Sequence, residues 1–178
     1  MTLEYASAER LEQYINSHID PEPDNLRRLN RRAQTRLLYG RMCSGHLQGR
    51  MLAMLARMIS PRRVLEIGAY AGYSALCLAE GLADGGEVHT VEVDDEIEDF
   101  IREGLAESPF GQRVTLHIGD AMEVVPSLGG MWDLVFIDGN KRDYIAYYKM
   151  VMPLLVAGGY ILADNTLWDL SLIHISEP

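Results

Sequence analysis

The stretch Val64-Leu65-Glu66-Ile67-Gly68-Ala69-Tyr70-Ala71-Gly72-Tyr73-Ser74 decides the fold. It opens as a short apolar run, Val64 to Ile67, broken by one acid. It turns through Gly68 and Gly72 and continues into Ser74-Ala75-Leu76-Cys77-Leu78-Ala79-Glu80, which reads as a helix. A buried strand, a glycine-bearing loop and a helix form a ligand-binding crossover. Glycine lets the backbone approach a ligand, and a helix N-terminus offers it unpaired N–H groups. The spacing Gly68-x3-Gly72 is not G-x-G-x-x-G, so no pyrophosphate cradle is indicated. Glu66, near the strand end, would repel a diphosphate and welcome a cationic ligand.

Outward from this stretch, strands alternate with helices. Glu87 to Val93 reads as a second strand carrying Glu92, about twenty residues past the glycine turn, where such folds place an acid on ribose hydroxyls. Asp95 to Glu107 reads as a helix with Ile97, Phe100, Ile101 and Leu105 inward, and Arg113 to Ile118 as the third strand. Gly119-Asp120-Ala121 then starts a short helix ending near Pro126, and this loop is expected to border an adenine site. Trp132 to Asp138 is the fourth strand, Gly139 to Asp143 a turn into a helix, and Gly158-Gly159 introduces a fifth strand, Tyr160 to Ala163, followed by Asp164-Asn165. The order predicts an α/β fold: a Rossmann-like, doubly wound, mostly parallel sheet with helices on both faces. Ligands of such sheets bind at the carboxyl ends of the strands. Four strands end there on acids, Glu66, Glu92, Asp138 and Asp164, which solvated surface does not explain.

Upstream lie three predicted helices, one over residues 3–19, one from Asp24 through Leu37-Leu38 with Asp24 as its cap, and one from Leu47 to Ile59. The last is expected to bury Met51, Leu52, Met54, Leu55 and Met58. Arg27, Arg28, Arg31, Arg32 and Arg36 of the second read as a solvated face paired with acids rather than as a basic binding patch. His46, in a loop with no His or Cys partner nearby, is a poor metal ligand.

With 178 residues, 48% of them hydrophobic, the chain is expected to form one domain over residues 1–170, with N-terminal helices over 1–60. A net charge of -10 argues against nonspecific nucleic-acid binding and against an anionic membrane surface. No apolar run approaches the ~20 residues of a spanning helix. The N-terminus shows no basic region followed by an apolar one, so no secretory signal is expected. Two cysteines, Cys43 and Cys77, fit a reduced, cytoplasmic setting rather than a disulfide framework.

The strand ends allow a specific chemistry. S-adenosylmethionine (SAM) carries an ammonium and a sulfonium and no phosphate, which suits the Gly68 turn and the acids. Asp138, Asp164 and Asn165 are hard oxygen donors on neighbouring strands, a set that suits Mg²⁺ with positions left for water or substrate. A divalent cation can take two adjacent oxygens of an acceptor such as a catechol and lower the pKa of a hydroxyl. Lys141, three residues after Asp138, would remove the proton or balance the oxyanion. Displacement at the methyl then relies mainly on proximity and electrostatic alignment. A nicotinamide-dependent oxidoreductase would require the missing G-x-G-x-x-G, and a non-catalytic SAM-binding module would have no use for Asp138, Asp164 and Asn165 together.

Three segments, VLEIGAYAGYSALCLAEGL (64–82), HTVEVDDEIEDFI (89–101) and WDLVFIDGNKRDY with ILADNTLWD (132–144 and 161–169), resemble the cation-dependent class I O-methyltransferases, the group with catechol and caffeoyl-CoA O-methyltransferases, closest to its bacterial branch. The resemblance spans about residues 25–169. It implies SAM contacts at Glu66, Gly68, Ser74, Glu92, Ala121, Asp138 and Asn140, with Met42 and Ser44 lining the entrance. It implies metal ligation by Asp138, Asp164 and Asn165, catalytic roles for Lys141 and Asp138, a phenolic or catechol acceptor, and a homodimer. Asn140 stands where relatives usually carry an acid, and Asp169 where they often carry Asn or Asp near the substrate. Relatives continue past Trp168 into a further helix and an antiparallel strand pair, so the sheet is expected to be truncated before its last strands. Ser171 to Pro178 resembles a translated sequencing-adaptor scar and is expected to be non-native.

Overall fold

A computed structural model of the chain describes residues 3–166. Asp169 and residues 171–178 lie outside the described residues. The elements run α1 (Leu3–His18), α2 (Asp24–Arg36), α3 (Gly45–Ile59), β1 (Arg63–Ile67), α4 (Tyr73–Ala79), β2 (Glu87–Glu92), α5 (Glu98–Ala106), β3 (Val114–Ile118), α6 (Ala121–Leu128), β4 (Trp132–Ile137), α7 (Tyr144–Val151) and β5 (Leu155–Ala163).

The strands form one parallel sheet in the order β3-β2-β1-β4-β5. This is the Rossmann-like architecture expected from the alternating pattern. The order reverses at β1 and β4, so a crevice opens beyond their carboxyl ends, where ligands of open α/β sheets bind. Side chains alternate across the sheet. Val64, Val88, Leu134 and Phe136 enter one core with α3, α4 and α5. Leu65, Ile67, Val91, Val135 and Ile137 enter the other, beneath α6 and α7. Both faces of the sheet are therefore covered, which is why its strands read as nearly continuous apolar runs.

The helix α3 corrects one expectation. Met51, Met54 and Met58 are exposed, and the buried face is Gly49, Arg50, Leu52, Ala53 and Ala56. The cause is the close approach of α4. A Cβ on Gly49 would lie 2.6 Å from Tyr73 and 2.8 Å from Cys77, and one on Gly81 2.5 Å from Ala56. Small residues make that contact, and the longer methionines fall outside it. Arg50 is buried with them because Glu80 of the facing loop pairs with it at 2.7 Å and also takes Arg57. Cys77 is fully buried, as expected of a small apolar side chain.

Three boundaries also differ. Asp24 is the first residue of α2 rather than its cap, and it pairs with Arg27 at 2.7 Å. Pro126 lies inside α6 rather than ending it. The fifth strand begins at Leu155, and Gly158-Gly159 lies within it, where φ of +82° at Gly158 accompanies a register shift opposite β4. Of the α2 arginines, Arg32 joins Glu103 of α5 and Glu107 just past its end at 2.6 and 2.9 Å, in keeping with a face paired with acids. No helix among the described residues is long and apolar enough to cross a membrane.

Candidate active site

The carboxyl edge of the sheet opens into one cavity of about 1520 Å³. That exceeds the roughly 300–1,000 Å³ of a common small-molecule site and leaves room for two ligands side by side. Gly68 closes the floor. Its φ is +101°, and a Cβ there would meet the Asp138 carbonyl oxygen at 2.5 Å. The turn after β1 and the turn after β4 can cross only because this residue has no side chain. The Gly68 and Ala69 N–H groups both donate to the Val91 carbonyl, at 2.9 and 3.2 Å, which ties the turn to β2.

Glu92 stands at the end of β2 and is nearly buried. Its Oε2 accepts the Tyr70 N–H at 2.7 Å and its Oε1 the Asp94 N–H at 3.0 Å. Two main-chain donors thereby hold the carboxylate at the cavity wall. Tyr70 takes a left-handed φ of +45° in this turn, a conformation a non-glycine residue adopts at a cost. Ser74, in the first turn of α4, and Ala121, the first residue of α6, complete this half of the cavity with Gly68 and Glu92. Asp120 caps α6 by accepting the Met122 N–H at 2.8 Å.

Glu66 is placed otherwise than the sequence suggests. It lies behind the cavity wall, fully buried, and does not line the space. Thr90 donates to its Oε2, while Oε1 has no hydrogen-bond partner among the described residues. Burial pushes its carboxyl up to about 8, against the opposing pull of the Ser74 and Thr90 hydroxyls. A direct carboxylate contact with a cation in the cavity is therefore not what this geometry offers.

The other half is built by the ends of β4 and β5. Lys141 Nζ donates to Asp138 Oδ1 at 2.6 Å and to the Tyr144 hydroxyl at 2.7 Å, and it lies 4.9 Å from the Tyr144 ring centre. Tyr144 in turn donates to the Ile137 carbonyl at 3.1 Å. Burial holds the Asp138 carboxyl above its ordinary range, and the negative charge of Asp164 adds to the rise, against the pull of Lys141. Asp164 follows β5 in register with Asp138, its N–H bonded to the Ile137 carbonyl at 3.0 Å. Its Oδ1 accepts the Asn165 N–H at 2.6 Å and its Oδ2 the Gln48 amide at 2.8 Å.

Met42, Ser44, Gly68, Ser74, Glu92 and Ala121 line this one cavity, and so do Asp138, Asn140, Lys141, Asp164 and Asn165. Asn140 caps the turn at Lys141–Asp143 and donates to Asp143 at 2.7 Å. Its side chain thus already has an intramolecular role. Gln48, Tyr70 and Tyr147 also line the space and escape a reading of the sequence. Only Tyr70 gives a signal, as the large residue between two turn glycines. His46 is used elsewhere, its Nε2 2.7 Å from the Asp20 carbonyl.

The donor set can be tested for a cation. Among the described residues, no three His, Cys, Asp or Glu side chains gather into a metal-holding group. Two carboxylates and one amide, Asp138, Asp164 and Asn165, line the same cavity at the ends of β4 and β5. The repulsion between Asp138 and Asp164 is what a cation would relieve, and Asn165 at φ +50° makes no side-chain hydrogen bond among the described residues. Hard oxygens in this number fit Mg²⁺, which keeps several waters and uses few protein ligands.

Comparison with known proteins follows the same lines. The O-methyltransferase family model matches residues 16–178. A catechol O-methyltransferase of Mycobacterium tuberculosis (strain ATCC 25618 / H37Rv) is 38% identical over 121 residues, 67% of this chain and 55% of that protein. A caffeoyl-CoA O-methyltransferase of Petroselinum crispum is 30% identical over 178 residues, 96% of this chain and 73% of that protein. The crystal structure of the SAH-bound methyltransferase PaMTH1 of Podospora anserina superposes with a TM-score of 0.87 at 35% identity, over 94% of this chain and 73% of that one. The crystal structure of TomG from Streptomyces achromogenes, in complex with SAM, does so with a TM-score of 0.84 at 29% identity, over 90% and 73%. The chain belongs to the O-methyltransferase family.

Proposed function

We propose that this chain transfers the methyl group of SAM to a hydroxyl of a small catechol-like or phenolic acceptor, with a divalent cation, most simply Mg²⁺, at Asp138, Asp164 and Asn165. The observation that carries the reading is the division of one cavity into two halves. One half is a glycine turn with a main-chain-anchored acid, Gly68 and Glu92; the other is a lysine and two carboxylates, Lys141, Asp138 and Asp164.

In this reading Glu92 accepts the ribose hydroxyls of SAM, Ser74 and Gly68 receive its amino-acid end, and Ala121 borders the adenine. Asn140 supports the same cofactor through the turn it caps, and Met42 and Ser44 wall the entrance. Glu66 acts from behind that wall, through Thr90 and the first turn of α4, rather than by contact. SAM supplies an activated methyl on sulfur, and the cation, when bound, supplies a Lewis acid that makes an acceptor hydroxyl more acidic. The Lys141 ammonium, anchored by Tyr144, balances the negative charge left on the acceptor oxygen as its proton passes to solvent water. The oxygen–methyl bond forms as the sulfur–methyl bond breaks, and the walls hold the two in line, which is where most of the rate arises. Two free cysteines, Cys43 and Cys77, suit a reducing cytoplasm.

The test is a transfer assay with methyl-labelled SAM and a catechol such as dihydroxybenzoate. Label should enter the acceptor, stop with a chelator and return with Mg²⁺. Transfer indifferent to the chelator would remove the cation from the reading; transfer to no phenolic acceptor while SAM is bound would remove the acceptor class.

A further inference from the structure

The carboxylates at the far half of the cavity are held in two different ways. Asp138 is paired with a cation, Lys141, at 2.6 Å. Asp164 is paired with a neutral amide, Gln48, at 2.8 Å. The two partners of that second bond lie 116 residues apart in sequence. We propose that Gln48 is a positioning residue that presents Asp164 for a divalent cation. The inference rests on the cation part of the proposed function.

Gln48 is fixed from both sides. It sits in the first turn of α3, next to Gly49, whose missing side chain lets α3 press against Tyr73 and Cys77 of α4. One residue further on, Arg50 is buried and paired with Glu80 at 2.7 Å. The backbone beneath Gln48 is thus locked to the element that follows the glycine turn. At the other end, Asp164 leaves β5 into a left-handed Asn165, whose N–H takes Oδ1 at 2.6 Å. That bond alone leaves the carboxylate free to swing about its side-chain torsions. The Gln48 amide on Oδ2 removes this freedom. Each carboxylate oxygen accepts more than one partner, so both keep a lone pair for an ion.

Charge decides why an amide suits the place. Asp138, Lys141 and Asp164 together carry one negative charge, and a divalent ion is attracted to it. A second ammonium or guanidinium on Asp164 would cancel that charge and compete for the same oxygens. Residues that hold a metal-ligating carboxylate by hydrogen bonds set its orientation, and their loss typically lowers metal affinity by about 10–100-fold.

The experiment is calorimetric titration of Mn²⁺ into the wild-type chain, Gln48→Ala and Gln48→Leu, the leucine keeping the bulk and losing the donor. Each is also titrated with S-adenosylhomocysteine in the presence of chelator and melted without ligand. Mn²⁺ binding weakened by about 10–100-fold in both variants, with S-adenosylhomocysteine affinity within about twofold and the melting midpoint kept, is the expected result. Equal Mn²⁺ affinity in all three overturns the role of Gln48 and leaves the cation reading standing. No Mn²⁺ binding by the wild type overturns both. Loss of S-adenosylhomocysteine binding or of the folded state in both variants makes Gln48 a general support of the fold and overturns the specific role.

Discussion

Lys141 Nζ lies 2.6 Å from Asp138 Oδ1 and 2.7 Å from the Tyr144 hydroxyl, so one ammonium is held by a carboxylate and a phenol at the mouth of the β4 turn. If it balances the acceptor oxyanion, Lys141→Met should lower kcat by about 10²–10³-fold, the usual loss on removing one such stabiliser. S-adenosylhomocysteine affinity should stay unchanged. A kcat within a few-fold of wild type would show that Lys141 only ties the turn together.

Space and backbone conformation together require glycine at position 68. With φ at +101° and the Asp138 carbonyl 2.5 Å from where a Cβ would stand, Gly68→Ala must push the β1 and β4 turns apart. Strain of this kind costs about 1–3 kcal/mol. Chemical denaturation should report that loss, and cofactor affinity should fall with it. An alanine variant as stable as wild type, binding as tightly, would mean that the turns do not cross as described.

Glu66 gives a pH signature. Its ordinary carboxyl value lies near 4.5 and burial raises it to about 8 in the folded chain. The folded state then holds a proton that the unfolded state has lost between those values. Stability must fall as pH rises through that window, by up to about 1.4 kcal/mol per pH unit. Glu66→Gln, which keeps the shape and never ionises, should flatten that part of the profile. Melting midpoints measured from pH 5 to pH 8 decide it: parallel curves for the two proteins would place the Glu66 proton elsewhere.

His89 of β2 and His117 of β3 carry a second, acid-side signature. His117 Nε2 lies 2.9 Å from His89 Nδ1, with Glu87 and the Arg63–Trp132 pair on the other side of His89. Burial, then the neighbouring His89, holds the His117 imidazole below its usual 6.5. The folded chain therefore resists taking up this proton, and stability is lost as pH falls below that value. His117→Gln should reduce the loss between pH 6.5 and pH 5, read from the same melting curves, and an unchanged acid limb would contradict it.

Much of this architecture is legible in the sequence because its signals are local. Apolar runs ending on Glu66, Glu92, Asp138 and Asp164 mark buried strands and their ligand-facing ends, and the sheet brings the ends of β1, β2, β4 and β5 to one edge. What escaped depends on distant partners. The buried face of α3 is set by how closely Gly49 and Ala56 approach α4 and the loop after it, so the periodic methionines mislead. Gln48 acquires its place only when β5 brings Asp164 to it. Glu66 reads as a ligand-facing acid from its place near the strand end, because nothing in its neighbours announces that Thr90 will take it beneath the wall.

The central claim is that the cavity at the β1–β4 reversal is a SAM site. Calorimetric titration of S-adenosylhomocysteine into the purified, folded chain, with and without Mg²⁺, tests it most directly. Saturable one-to-one binding that is lost on Glu92→Ala is the predicted result. A folded chain that binds no S-adenosylhomocysteine under either condition would contradict it.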